Sequence, residues 1–209
     1  MKTTTLYMLL AATLAFFCVT TVCAKDGDAR VSQTRKVEAF HAIDITAVGE
    51  IIFTQADKYS LRIEGKEKNV NRTTTSVSGD GTLHIGFKGR SGRGNNNGVT
   101  IHLSAPSLDG IEFSGVGSFR CEGDLKLDGD LNIDIDGVGE VVIDDLACRN
   151  LDIDLDGVGD AELTVNCDHV DASMHGVGSV TLRGNARSAN LSRGGIGDLD
   201  TKGLNIGEK

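Results

Sequence analysis

The chain has no tryptophan, two tyrosines and a single proline among its 209 residues. The acidic outward strand face therefore offers no aromatic platform on which a sugar could stack, and the low aromatic content suits a narrow interior lined by Ile, Leu and Val. The lone proline, in Ala105-Pro106-Ser107, marks a corner. Positive charge is also short: 21 Lys and Arg stand against 30 Asp and Glu, for a net charge of −9. An acidic chain lacks the basic face that nucleic acid requires and is not drawn to anionic lipid. No C-x-x-C pair is present, which removes support for a zinc ribbon or a thioredoxin-type redox site. No Gly-x-Ser-x-Gly elbow accompanies the serines and histidines. The five histidines, His41, His84, His102, His169 and His175, fall at no metal-ligand spacing and read as strand or surface residues.

Beyond its first two dozen residues the chain has no apolar run long enough to cross a bilayer. The first stretch combines Lys2, an apolar segment from Leu6 to Val22, and small residues in Val22-Cys23-Ala24. This is the pattern of a secretory signal peptide over residues 1–24, with cleavage before Lys25. Neither Cys18 nor Cys23 follows a small residue, as a lipid-modified cysteine would. Cleavage takes the net charge to −10, because the segment carries Lys2 and no acid. Three cysteines then remain, Cys121, Cys148 and Cys167, so at most one intramolecular pair can form, in a compartment that permits it.

Glycine is abundant, and its placement is periodic. Gly-Val-Gly occurs at residues 115–117, 137–139, 157–159 and 176–178, followed by Gly195-Ile196-Gly197 and preceded by a distant copy, Ala47-Val48-Gly49. The first glycines of the five clear copies lie 22, 20, 19 and 19 residues apart. A fixed period near twenty is the signature of a stacked repeat. The Gly-x-Gly turns lack the strand-to-helix setting of a nucleotide site.

Residues 25–35 read as a loose polar lead-in and residues 206–209 as a tail. Val37 to Phe53 reads as two strands around Ala47-Val48-Gly49, Ser60 to Glu64 as another, and Asn69 to Val77 as a Thr-rich, β-capable stretch. Ser78-Gly79-Asp80-Gly81 is a turn, after which Leu83, Ile85 and Phe87 alternate inward. The run Gly89 to Gly98 reads as a loop tip in which Arg90 and Arg93, with Lys88, make the one basic spot. A solvated connection is the preferred reading there over a contact loop for an anionic partner.

From Leu108 onward, apolar and polar residues alternate on both sides of each turn, which is strand period and not helical period. Equivalent residues recur in every copy, so the strands stack in parallel and share one core. The expected core columns are Phe113, Ile135, Leu155, Met174 and Phe119, Val141, Ala161, Val180, Leu199. The glycines are expected to turn corners at positive φ, with the valine packed there or stacked on its neighbours. The outward face is striped with acids: Asp134 on Asp154, Asp136 on Asp156, Glu140 on Asp160 and Asp152 on Asp171. They form either a solvated face or a ladder of hard oxygen ligands for calcium. Cys148 and Cys167 each lie nine residues before a repeat glycine, so they should stack in adjacent coils, bridged or as a pair of thiols. Cys121 falls in the inward column with Ile143 and Leu163.

Taken in order, Phe40 to Ile45, Gly49 to Gln55, Leu61 to Gly65, Gly81 to Ile85, Ile101 to Leu108 and the Gly-Val-Gly series resemble the DUF2807, or head GIN domain, family over about residues 36 to 205. The resemblance implies a right-handed parallel β-helix exposed to the periplasm or the outer face of a Gram-negative envelope, with no catalytic residues to carry over.

The reading is an all-β chain: a right-handed parallel β-helix (β-solenoid) with coils of about 19–22 residues and a less regular N-terminal β region, forming one domain over residues 36–205. The expected function is a non-catalytic, exported envelope module of adhesin type for a glycan or protein partner, in the periplasm, at the outer membrane or on the cell surface. It assigns no catalytic, cofactor-binding or metal-ligating residue and no membrane span in the mature chain. The alternatives are a structural module forming homo-oligomers through its solenoid edges and, further off, a polysaccharide-degrading enzyme.

Overall fold

The computed structural model describes residues 29–89 and 98–207. The leader, residues 25–28 of the lead-in, the basic tip with Arg90 and Arg93, and residues 208–209 lie outside the described residues. The rest is almost entirely β, coiled into a solenoid of about 5 turns.

The chain enters on β1 (Arg30–Arg35), lays down β2 (Ala42–Ile45) and β3 (Val48–Gln55), and runs through β4 (Ser60–Lys66), helix α1 (Glu67–Arg72) and β5 (Thr73–Val77). A second pass adds β6 (Thr82–Phe87) and β7 (Val99–Ala105). The regular coils follow: β8 (Gly110–Phe113), β9 (Val116–Cys121), β10 (Leu125–Lys126), β11 (Leu131–Ile135), β12 (Val138–Ala147), β13 (Asn150–Leu155) and β14 (Val158–Met174). The last coils are β15 (Val177–Arg193) and β16 (Ile196–Ile206). Every pairing between regular coils is parallel and joins equivalent repeat positions. A coil cannot bury its own apolar side; its neighbours above and below do so for it.

Stacking order departs from chain order at one place. β3 lies between β7 and β9, and β2 between β6 and β8. The first coil laid down is therefore internal. The second pass is added outside it, and the chain then crosses back to continue from the other side. This places Val48 in register with Val116, so the distant Ala47-Val48-Gly49 copy is a true member of the repeat.

The outer end is closed by antiparallel strands: β4 on β7, β1 on β4, and β5 on β6. Two expectations are corrected here. Arg30–Arg35 is a strand and not a loose lead-in. It has almost no apolar face, and its order comes from backbone pairing to β4, from Arg30 opposite Lys66 to Arg35 opposite Leu61. A polar strand in this place covers an edge that would otherwise recruit other chains. Asn69–Val77 is also not one β stretch, because α1 occupies Glu67–Arg72 and the strand begins only at Thr73. Glu67 in the first turn and Arg72 in the last suit the helix dipole, and the Thr73 hydroxyl donates to the Asn69 carbonyl at 2.9 Å. The half-buried Arg35 guanidinium ties this end together by donating to the carbonyls of Val70 (2.8 Å) and Thr73 (2.7 Å).

The core columns fall where alternation places them. Phe113, Ile135, Leu155 and Met174 are wholly buried, as are Phe119, Val141, Ala161 and Val180; Leu199, in the last coil, is partly covered. Each large aliphatic or aromatic side chain so enclosed contributes about 1.5–3 kcal/mol. Phe53 stacks on Phe119 across the junction between the first coil and the regular ones, with ring centroids 6.3 Å apart.

The corner glycines meet the expectation in part: a Cβ would clash at each, but positive φ is not general. Positive φ occurs at the second glycine of only three of the five clear copies, Gly117 (149°), Gly178 (146°) and Gly197 (141°). What all share is a lack of room. A Cβ on Gly137, Gly157, Gly176 or Gly195 would fall on the carbonyl oxygen of the first glycine one coil earlier, and one on Gly115 would meet that of Ala47. Each of the five coils stacked on from Ala47 can approach to strand spacing at this corner only because it lacks a side chain there. Gly157→Ala should therefore lower the unfolding free energy in urea by about 1–3 kcal/mol, the range for an overpacked site. Gly129→Ala, at a position with nothing within 4 Å, should change it by less than about 0.5 kcal/mol.

Candidate functional site

The residue between the corner glycines points outward. Val48, Val116, Val138, Val158, Val177 and Ile196 are in register from coil to coil and form one aliphatic row along the solenoid. Val116, Val138, Val158 and Val177 are 45–51% exposed and Ile196 is 75% exposed. The valine is thus stacked on its neighbours, as expected, but lies on the surface and outside the core. Solvent-exposed branched aliphatics in a continuous row are what a soluble surface normally avoids unless something covers them.

Carboxylates border the row on both sides. After the turn, Glu50, Ser118, Glu140, Asp160, Ser179 and Asp198 are in register. Before it come Ser114, Asp136, Asp156 and His175. Asp136, Asp156 and His175 line an open groove with Val138, Val158, Val177 and Ile196. Within the bordering rows the one basic group is the His175 imidazole; Arg193 reaches in at the far end, donating to the Gly197 carbonyl at 2.7 Å and lying 3.7 Å from Asp198.

The acid stripe has the registers read from the repeat: Asp134 with Asp154, Asp152 with Asp171, and Glu140 with Asp160. Partial burial raises the pKa of Asp134 and Asp154, and neighbouring carboxylates add to the shift: chiefly Asp136 and then Asp154 for Asp134, chiefly Asp156 for Asp154. One oxygen of Asp154, Oδ1, is buried without a hydrogen-bond partner. Stacking also does what sequence spacing concealed. It brings His175 to Asp154 and Asp156 with their ligand atoms within 4.8 Å of one another. The signal was available, since His175 occupies the repeat position of Asp136 and Asp156. These three donors, one an imidazole nitrogen, fall short of the six to eight oxygens that calcium takes.

Of the other histidines, His84, His102 and His169 sit on strands and His41 in the bend before β2. His41 meets Asp109 at 2.8 Å, His84 meets Asp44 at 2.7 Å, and His169 meets the Ser188 hydroxyl at 2.8 Å. Cys121 is buried beside Ile143, and burial pushes its thiol up to about 12. No helix among the described residues is long and apolar enough to cross a membrane.

In-register parallel coils, a cap at one end and an outward aliphatic corner define a short parallel β-helix that presents a surface strip. The family model described as "Putative auto-transporter adhesin, head GIN domain" (DUF2807) matches residues 39–208, and the chain belongs to that family. A crystal structure described as a "putative adhesin" from Bacteroides fragilis is 29% identical, with TM-score 0.67, covering 80% of this chain and 94% of that one. Two proteins from Parabacteroides distasonis share the fold. One is described as a "putative lipid binding protein" (21% identity, TM-score 0.74) and the other as a "putative adhesin" (20% identity, TM-score 0.75). In both pairs the match covers 87% of this chain and 76% of the other. No curated protein matches the chain.

The raised acids carry a pH dependence. The folded chain holds the protons of Asp134 and Asp154 more tightly than the unfolded chain does. Their contribution therefore lowers stability at neutral pH, and the loss is relieved as pH falls through their raised folded values towards the ordinary carboxylate range. Asp134→Asn should raise Tm at pH 7 by about 1–3 °C, on the usual cost of facing like charges and the size of the domain. The gain should shrink with added salt and vanish near pH 4, as followed by thermal melts across pH.

Proposed function

We propose that the chain is an exported, non-catalytic binding module of the cell envelope. In this reading a protein partner is held along the corner row from Val116 to Ile196. The observation that carries the reading is that row: five aliphatic side chains in register and exposed, at a corner built of glycines that keep it regular. The carboxylate borders favour a partner whose apolar strip is edged by basic side chains. Scarcity of aromatics argues for protein over glycan, since the row offers branched aliphatics and no ring on which a sugar could stack. Membership of an adhesin-like family and the signal-peptide pattern over residues 1–24 support export, to the periplasm, the outer membrane or the surface of a Gram-negative cell.

A second reading is favoured by a separate observation. Among the described residues β16 pairs on one side only, with β15, and Leu191, Ile196 and Ile206 are exposed near that end. An open strand edge bordered by apolar residues suits end-to-end association of copies.

The two readings separate in one set of measurements on labelled protein. Replacing Val138, Val158 and Val177 by Ser should leave Tm within about 2 °C, because exposed positions contribute little to stability. It should also abolish binding to intact cells and outer-membrane fractions, and protease treatment of those membranes should remove binding of the unaltered protein while periodate does not. Undiminished binding by the triple variant would sink the ridge as the contact surface. Growth of sedimenting mass with concentration, unaffected by the triple substitution, would favour assembly through the open end. Independently, N-terminal sequencing of protein recovered outside the cytoplasm should begin at Lys25; an intact Met1 there would remove the signal-peptide reading.

A further inference from the structure

Two buried sulfurs face each other across adjacent coils. Cys148 Sγ and Cys167 Sγ are 2.9 Å apart, 19 residues apart in the chain. Cys148 follows Ala147, which is in register with Asn166, and its N–H donates to the Asn166 carbonyl at 3.4 Å. The separation of neighbouring strands, about 4.8 Å, lies within the Cα range that a disulfide spans, and the two sulfurs already face each other. Cys121 takes no part. It lies in the column of Ile143 and Leu163, on a different stretch of the coil.

Other uses of a cysteine pair fit poorly. The one grouping of potential metal ligands among the described residues contains no cysteine, and a structural zinc site needs four ligands. An exchange-active pair needs an accessible, acidified thiol. Here Cys148 is 9% exposed and Cys167 0% exposed. The Cys148 thiol is held well above its usual range by its contact with Cys167, by burial and by the nearby Asp130 and Asp168.

We propose that Cys148 and Cys167 form a structural disulfide that staples two successive coils, with Cys121 left as a thiol. The bond forms by exchange with a disulfide oxidant. The Cys148 thiolate attacks one oxidant sulfur and releases a thiol. The Cys167 thiolate then attacks Cys148 Sγ in the mixed disulfide and releases the second. Two electrons and two protons pass from the cysteine pair to the oxidant, which leaves as two thiols. Because both sulfurs are enclosed once the coils close, exchange belongs to the stage before they stack, and the finished bond is shielded from reductant.

The test uses the chain from Lys25 onward, refolded in oxidised and reduced glutathione, blocked with an alkylating agent and digested with trypsin. Cleavage after Arg120, Lys126, Arg149 and Arg183 places the three cysteines in separate peptides, 121–126, 127–149 and 150–183. The expected result is peptide 127–149 linked to 150–183, with Cys121 alkylated. The unreduced protein should melt about 5–10 °C above the reduced one, as expected for closing a loop of this size in a domain of this length. That difference should vanish in Cys148→Ala and persist in Cys121→Ser. Alkylation of all three cysteines after oxidative refolding, or a bond to Cys121, would overturn the proposal. Because the readout needs neither export nor a partner, its failure is distinguishable from failure of the binding reading.

Discussion

Every other feature of this molecule depends on close approach of the coils at one corner. Parallel strands must lie near 4.8 Å apart for their amides and carbonyls to pair. At the Gly-Val-Gly corner that spacing leaves no volume for a Cβ at the first glycine, because the carbonyl of the coil before occupies the place. Glycine at each coil from Gly115 onward is the condition for stacking on the coil before, and stacking in turn sets the core columns, the acid stripe and the cysteine pair. Backbone freedom matters less: only Gly117, Gly178 and Gly197 among the repeat glycines need positive φ.

The same stacking explains why the outer surface has rows and not scattered side chains. A residue type placed once per coil becomes a line. With valine the line is apolar; with aspartate it is a set of facing charges, and partial burial, with neighbouring carboxylates adding to it, raises the pKa of Asp134 and Asp154. The stripe is tolerated because it faces water, where screening is efficient. Inside, the identical rule gives the all-buried column from Phe113 to Met174.

The regular coils were legible in the sequence because their period is carried by residues that physics leaves no choice about. Glycine marks the corner and alternation marks the faces, so the columns from Phe113 and Phe119 could be named residue by residue. The contact of Cys148 with Cys167 followed from the same arithmetic. The N-terminal region was less legible. β1 is ordered by backbone pairing, to which Arg30, Ser32 and Gln33 lend no apolar signal. Helix α1 is six residues long, too short for a helical period to show before the threonines that follow it. At the site, the acid registers could be read, but the outward direction of Val138 and Val158 could not. A valine between glycines in a half-apolar pattern is as readily a core residue as a surface one, and only the path of the backbone decides.

The order in which the chain is threaded separates two design variables. β2 and β3 form an interior coil, β6 and β7 build outward to a finished cap, and everything after β8 extends the opposite way. Length is therefore added at one end alone, in units of a corner and its flanking strands, while the sealed end is made once and stays unchanged. A protein built this way can change how far it reaches, and how many rungs it offers along the valine row, by gaining or losing whole coils without rebuilding its foundation.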